Sequence, residues 1–443
     1  MLELPPLYSR DLNDNIIVWQ TRAEGDVVIY EHGRLGGKLV KNRTRCFTTN
    51  RGQSNERNGN QQALFEAQAA WQKKKKTGYQ ETVEAARTAV IILPMLAHSV
   101  IKRLQRSGGV VEEKRELTFP LDAQFKFNGL RCLARCEERG VIEFISRENE
   151  HWDGLSHIRR ALANLMVPGE ILDGEIYCHG MALEEINSLV KLERIESGAL
   201  WFQMYDTPTA GTLLKMDEPW EVRYDHLSLR YAQFLRSQIA TSNALSDEAL
   251  ALAFRDHISK RAMEGTTSFL DGVDLDKIMM EAAKLPLQLT PTWTVLSEQE
   301  IKVLALRAIE DGYEGLILRP LDKPYVLHKR VDSLIKWKDF QDGEFTIIDS
   351  RSIEWFEQSG RSMPILDVFV VQNDCNALTF EVKPRGTVVD KHQMWEDRDD
   401  YLGRRITVRY SDRSQNGVPQ GNPVGFFREE EDLPGADDMS MWE

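Results

Sequence analysis

A chain of 443 residues, 42% hydrophobic and 28% charged, exceeds one ordinary hydrophobic core, so two or three soluble domains are expected. No apolar run approaches the ~20 residues that span a bilayer, and Met1–Pro6 lacks the basic and apolar regions of a secretory signal; the expected setting is the cytoplasm, with no membrane partner. Five scattered cysteines without a C-x-x-C pair argue against a disulfide framework and against structural zinc. The net charge of −13 conceals an asymmetry: residues 1–95 carry 14 Lys/Arg against 10 Asp/Glu, while residues 429–443 carry seven acids and no base. Phosphate binding depends on local clusters, so nucleic acid is not excluded.

In chain order, residues 8–40 read as strands and turns, with Gly25-Asp26 as a hairpin signal between Ile16–Trp19 and Val27–Tyr30. His32-Gly33-Arg34-Leu35-Gly36-Gly37-Lys38 is not a P-loop, because His32 and Leu39 stand where that spacing needs glycine and Ser/Thr. Ala63, Leu64, Ala67, Ala70 and Trp71 recur at helical spacing from Gln61 to Lys76, and Gly78 follows as a stop. Four lysines, Lys73 to Lys76, close that helix where cations suit its dipole. Residues 81–118 read as a charged, helical connection containing Leu93-Pro94-Met95-Leu96-Ala97.

The informative stretch is Lys126-Phe127-Asn128-Gly129-Leu130-Arg131, inside the apolar run Leu121 to Leu133. Read as a strand, it places Gln124, Lys126 and Asn128 on one face and Phe125 and Phe127 on the other. A lysine in such a run calls for a ligand or an ion pair. Four further strands also carry charge. In Glu170–Tyr177, Asp173 and Glu175 share a face, and paired carboxylates imply a nearby cation. Trp201–Asp206 is aromatic, Tyr313–Arg319 contains Glu314, and Leu334–Phe340 puts Lys336 and Lys338 on one face, away from Ile335 and Trp337. A long helical, charged stretch from Trp220 to about Lys284 separates the last two from the first three. Carboxylates suit a hard cation such as Mg2+, and lysines hold phosphate oxygens. Neighbouring cations and partial burial also make a lysine amine available as a nucleophile.

Two resemblances organise these observations. The order strand, G-R-x-G-G, strand, then A-x-x-x-W-x-K-K ending in Gly78-Tyr79, resembles the WGR domain over residues 8–80, with Glu31 or His32 where that family has its tryptophan. This likeness implies a DNA contact through Arg34, Lys38 and the lysine run. From residue 93 to 428, the ordered set Lys126-x-Asn128-Gly129-x-Arg131, Ser146-Arg147, Asp173-Gly174-Glu175, Phe202-x-x-Tyr205-Asp206, Glu314-Gly315-x-x-Leu318-Arg319 and Lys336-x-Lys338 resembles the ATP-dependent DNA ligases among covalent nucleotidyltransferases.

The resemblance implies ATP and Mg2+ (or Mn2+) as cofactors and nicked duplex DNA as partner of a monomeric enzyme. Lys126 would take AMP from ATP and pass it to the 5′-phosphate of a nick. Arg131 and Arg147 would hold ribose, phosphate or the nick, and Gln124 would line the nucleotide. Tyr205 would stack on adenine. Glu175, Glu314 and Asp173 would serve the metal, with Glu175 also at the ribose. Lys336 and Lys338 would neutralise phosphate in the transition state. Asn128 departs from the commoner aspartate, removing one carboxylate; activity is expected to survive with altered metal or pH dependence.

The implied architecture is α+β: a WGR-like domain (1–84), an adenylyltransferase domain of ATP-grasp-like antiparallel sheets and helices (85–340), an OB-fold β-barrel (341–428) and an acidic tail (429–443). Short strands at Phe345–Ile348, Leu366–Val371, Leu378–Val382 and Ile406–Tyr410 suit a small barrel. Arg385, Arg404, Arg405 and Arg409 are its candidates for backbone phosphate contact. Gly425-Phe426-Phe427-Arg428 resembles the end of ligase OB domains, where an arginine assists pyrophosphate departure. The tail is expected to be disordered or to meet a replication or repair protein. An RNA ligase, a capping-type guanylyltransferase and a catalytically dead DNA-end binder stay open as alternatives.

Overall fold

Two sheets meeting at a lysine organise the middle of the chain. The computed structural model describes residues 2–11, 14–50, 52, 54–89, 92–106, 109–210, 213–214, 217–239, 245–253, 269–270, 273–338, 341–356, 362–410, 412–414, 416–420 and 423–427. The protein is a mixed α+β chain whose contacts divide it into two units. One holds Met1–Val90, Arg103–Val111 and Asp339–Glu443; the other holds Ile91–Lys102 and Glu112–Lys338. Arg428, the tail 429–443 and part of the helical stretch 225–285 lie outside the described residues.

In the second unit, a five-stranded sheet runs in the order Thr292–Val295, Leu121–Phe125, Leu316–Pro320, Arg330–Trp337, Leu96–Ser99. A six-stranded sheet runs His151–Trp152, Ile142–Ser146, Leu130–Cys136, Ile171–Tyr177, Trp201–Asp206, Leu287–Leu289. The chain passes between the sheets twice, through Lys126–Gly129 and through Thr290-Pro291. The apolar run 121–133 is therefore two strands and a crossing rather than one strand. The alternation expected from sequence persists across the break: Phe125 and Phe127 are both buried in the core, while Lys126 is half-buried on the other side.

Helices cover the sheets with apolar faces. Ser156–Leu165 buries Ile158, Ala161, Leu162 and Leu165, and Trp220–Gln238 buries Trp220, Tyr224, Leu227, Tyr231 and Leu235. Leu93 to Ala97 does not lead into a helix. It enters the strand Leu96–Ser99, which pairs in parallel with the strand of Lys336. Periodicity misleads there because a four-residue edge strand is too short to show alternation.

In the first unit, a five-stranded sheet includes the hairpin Ile16–Glu24 and Val27–Arg34, turned at Gly25 with φ +61°. Helix Gly59–Lys76 starts at a capping box on Asn58 and packs Ala63 and Ala67 against Ala23, Val28 and Cys46. Strands Gln341–Phe356, Ser362–Gln372, Thr379–Pro384, Val424–Phe426 and Arg405–Tyr410 close, in that order, into a barrel around Phe345, Ile347, Phe369, Val371 and Val408. Helix Val388–Glu396, capped by Thr387, bridges the third strand and Arg405–Tyr410. No helix among the described residues is long and apolar enough to cross a membrane.

Candidate active site

Backbone bonds fix the crossing before any side chain acts. Lys126 N donates to Gly315 O at 2.8 Å, and Glu314 N returns a bond to Lys126 O at 3.0 Å, so nucleophile candidate and carboxylate are held as a pair. Phe125 stacks on Tyr313 (centroids 4.5 Å apart), and Phe127 meets Tyr177 and Tyr313 edge-on, which anchors both flanks in the core. Gly129 is required by close approach: a Cβ there would stand 2.5 Å from Ile176 O and 2.9 Å from Glu175 Cγ. Gly315, at φ +131°, lies in a backbone region that only glycine adopts without strain, and a Cβ would also meet Trp337 O at 2.5 Å.

The side chains then assemble a charged cluster. Lys126 Nζ bonds Glu314 Oε2, and Lys338 Nζ donates to the same oxygen at 2.9 Å. Both lysines hold the Glu314 carboxyl below its usual range, outweighing the burial that would raise it. Lys336 is directly opposite Ile317, itself opposite Gln124, so one row of the sheet runs Thr292, Gln124, Ile317, Lys336. Burial, then Lys126, Arg330 and Lys338, push the Lys336 ammonium below its ordinary range. Glu175 accepts from Gly129 N at 2.9 Å; burial raises its carboxyl to about 7, against the opposing pull of Lys126 and Arg131.

Behind this cluster lies a buried polar layer. Asp173 is wholly buried, takes two bonds from Arg131 (3.1 and 2.6 Å) and one from Tyr325 Oη at 2.6 Å. Both Asp173 oxygens thus accept from Arg131, and Oδ2 also accepts from Tyr325. Asp206 binds Arg223 at 2.9 and 3.2 Å and Arg319 at 2.7 Å, and the two arginines hold its carboxyl below the usual range despite burial. Gln124 is 1% exposed, with Oε1 taken by Arg319 at 2.7 Å and Nε2 given to Thr292 at 2.9 Å. Its amide supports the site from behind. The Tyr205 ring is nearly buried between the guanidiniums of Arg131 and Arg319, centroids 5.5 and 5.6 Å away, and its hydroxyl donates to Gly174 O.

Sequence reasoning quoted Arg319 and Asp206 within motifs without giving them roles, and it missed Asp122, Thr292, Tyr325 and Arg223. Asp122 had a signal: an acid inside the apolar run at Leu121. Wholly buried, it accepts from Trp220 Nε1 at 2.9 Å and Thr294 at 2.7 Å. Arg223 and Tyr325 had none, because the carboxylates they bind, Asp206 and Asp173, are 17 and 152 residues distant and on other elements.

Other expected residues lie apart from Lys126. Arg147 is exposed at the end of Ile142–Ser146 and pairs with its neighbour Glu148. Arg34 and Lys38 are exposed in the N-terminal sheet region. Lys74 lies over the rings of Tyr79 and Trp19, and Lys75 over Trp71, so part of the lysine run is used within the module. On the barrel, Arg385 covers the Phe426 ring at 4.3 Å, and Arg404 lies 5.1 Å from Phe427. Among the described residues, no group of three or more His, Cys, Asp or Glu side chains is placed to hold a metal by itself. Glu175 and Glu314 are two carboxylates flanking one lysine, a donor set that fits a cation whose remaining ligands come from phosphate.

No protein-family model matches the chain. The chain is similar to DNA ligases of African swine fever virus: 24% identical over 326 residues to that of a South African tick isolate, and 23% over 318 residues to that of a Kenyan pig isolate. These matches cover 70% and 68% of this chain and 64% and 62% of the viral proteins, so the chain spans less than two thirds of their length. Among solved structures, the one described as Pmar-Lig_PreS3 aligns with TM-score 0.50 at 16% identity, over 78% of this chain and 69% of that one; this is a likeness of fold. The Chlorella virus DNA ligase-adenylate aligns at TM-score 0.36 and 18% identity, over 76% and 99% of the two chains.

Proposed function

We propose that the protein is an ATP-dependent DNA ligase working through a lysyl-AMP intermediate. The observation that carries the reading is the Lys126–Glu314–Lys338 cluster at the crossing of two sheets, with Lys336 on the same face. The similarity to viral DNA ligases supports the choice of DNA. Lys126 Nζ attacks the α-phosphorus of ATP; the N–P bond forms, the bond to the bridging oxygen breaks, and pyrophosphate leaves. AMP then passes to a 5′-phosphate at a nick, and the 3′-hydroxyl displaces AMP to form the phosphodiester.

Attack needs the neutral amine. Lys126 Nζ must leave the Glu314 carboxylate, to which it is bonded, to reach the phosphorus. Lys336 and Lys338 neutralise phosphate charge as it builds. Arg131, held by two bonds to Asp173, would contact the nucleotide, and Tyr205, whose ring lies 5.5 Å from the Arg131 guanidinium, would stack on adenine. Glu175 and Glu314 would hold Mg2+ or Mn2+, which supplies positive charge to the phosphate oxygens. The barrel, whose five strands follow OB-fold order, and the WGR-like module contribute DNA contacts through Arg385, Arg404, Arg34 and Lys38, with Arg147 at the nick.

The test is sealing of a 5′-phosphorylated nick in duplex DNA and in duplex RNA with ATP and Mg2+. Sealing of DNA, abolished in Lys338→Ala, is expected. Sealing confined to RNA would favour an RNA ligase.

A further inference from the structure

Three arginines from separate elements converge on one cleft in the N-terminal module. Arg10 ends the strand Leu7–Arg10, Arg34 ends Val27–Arg34, and Arg87 lies in the last turn of the helix Val83–Thr88. With Asp14, Asn15, Ile16 and Leu35 they line a cleft of about 530 Å3.

Like charges repel, so folding alone gives no reason to gather three guanidiniums from distant parts of the chain. Two acids stand beside them. Asp14 meets Arg10 at 3.3 Å but is 83% exposed, and Asp11 stands 4.0 Å from Arg34 while also accepting two bonds from the Asn15 amide. Exposed pairs of this sort are weak in water and are exchanged readily for a stronger anion. Arg10 is also steadied: Nη2 donates to Ala89 O at 3.1 Å, tying the strand end to the segment after the helix. Guanidiniums match phosphate oxygens in bidentate geometry. Ile16 and Leu35 give the cleft an apolar edge suited to a sugar.

We propose that this cleft binds a phosphate group of DNA, with Arg10 and Arg87 acting beside Arg34. The proposal rests on the DNA reading above, but its readout is binding rather than sealing, so it can fail while Lys126 chemistry stands, and the reverse.

The test uses the full chain and a fluorescent duplex, with and without 5′-phosphates, titrated by anisotropy over a range of salt. Arg87 is exposed at a helix end, so Arg87→Gln is the first variant and Arg10→Gln/Arg87→Gln the second, each checked for wild-type circular dichroism. The double variant is expected to bind about tenfold more weakly, with the log–log salt slope reduced by about 1, as for one lost phosphate contact. Equal loss on both duplexes assigns a backbone phosphodiester; loss confined to the phosphorylated duplex assigns a terminal phosphate. Unchanged affinity and slope in both folded variants would overturn the proposal, as would a cleft that takes only acidic polypeptides.

Discussion

At the scale of single residues, the site is a balance of charge around Lys126, and two substitutions probe it. Glu175 is an acid whose folded-state value, about 7, lies above its ordinary value. Such a group costs stability when it ionises, so the folded state weakens as pH rises from about 4.5 to about 7. Glu175→Gln is therefore expected to raise the melting temperature at pH 8, with the gain vanishing below pH ~4.5, while lysyl-AMP formation falls; parallel melting curves at pH 4.5 and pH 8 check it. Asn128, half-buried in the crossing loop, is the second probe. Asn128→Asp adds a carboxylate two residues from Lys126. It is expected to retain adenylylation and to shift its pH profile and its preference between Mg2+ and Mn2+, read from initial rates of label incorporation.

At the scale of elements, the buried layer sets where the strands lie. Asp206 and Arg223 are almost wholly buried and joined by two bonds, so removing Arg223 leaves the buried Asp206 carboxylate to Arg319 alone. Arg223→Met is expected to lower stability by about 3–5 kcal/mol, measured by urea unfolding, whereas Asp206→Asn/Arg223→Met loses less than the sum of its parts. This layer also marks how far the sequence was legible. Charged residues inside short apolar strands announced Lys126, Glu175, Glu314, Lys336 and Lys338, because a period of two needs only local spacing. Asp173 shares that signal yet serves Arg131 and Tyr325. Local spacing shows which face a carboxylate occupies, not whether a distant arginine reaches it. The crossing at Lys126–Gly129 was hidden for a related reason: alternation continues through the break, so one strand and two strands joined by a loop read alike. In the barrel, four strands showed as alternating runs. The fifth, Val424–Phe426, is three residues long and carries no periodicity.

At the scale of the whole molecule, the N-terminal module and the barrel belong to one unit. Strand Val40–Arg45 lies beside Gln341–Phe356, with Arg45 4.0 Å from Glu354. Removing residues 1–90 would therefore uncover a barrel strand as well as remove basic side chains, and a truncated chain is expected to melt at a lower temperature than the full chain. Point substitutions separate DNA contact from that loss of packing. Arginines gathered on particular faces act over a Debye length of about 10 Å, so a net charge of −13 does not by itself oppose phosphate binding at such a face.

Every step rests on the nucleophile. Incubation of the full chain with α-labelled ATP and Mg2+, followed by denaturing electrophoresis, measures it directly. The account predicts a covalent label on the wild-type protein, released as AMP by acid, absent in Lys126→Ala and not formed from labelled GTP alone. Absence of label on the folded wild-type protein, or label that persists in Lys126→Ala, would contradict it.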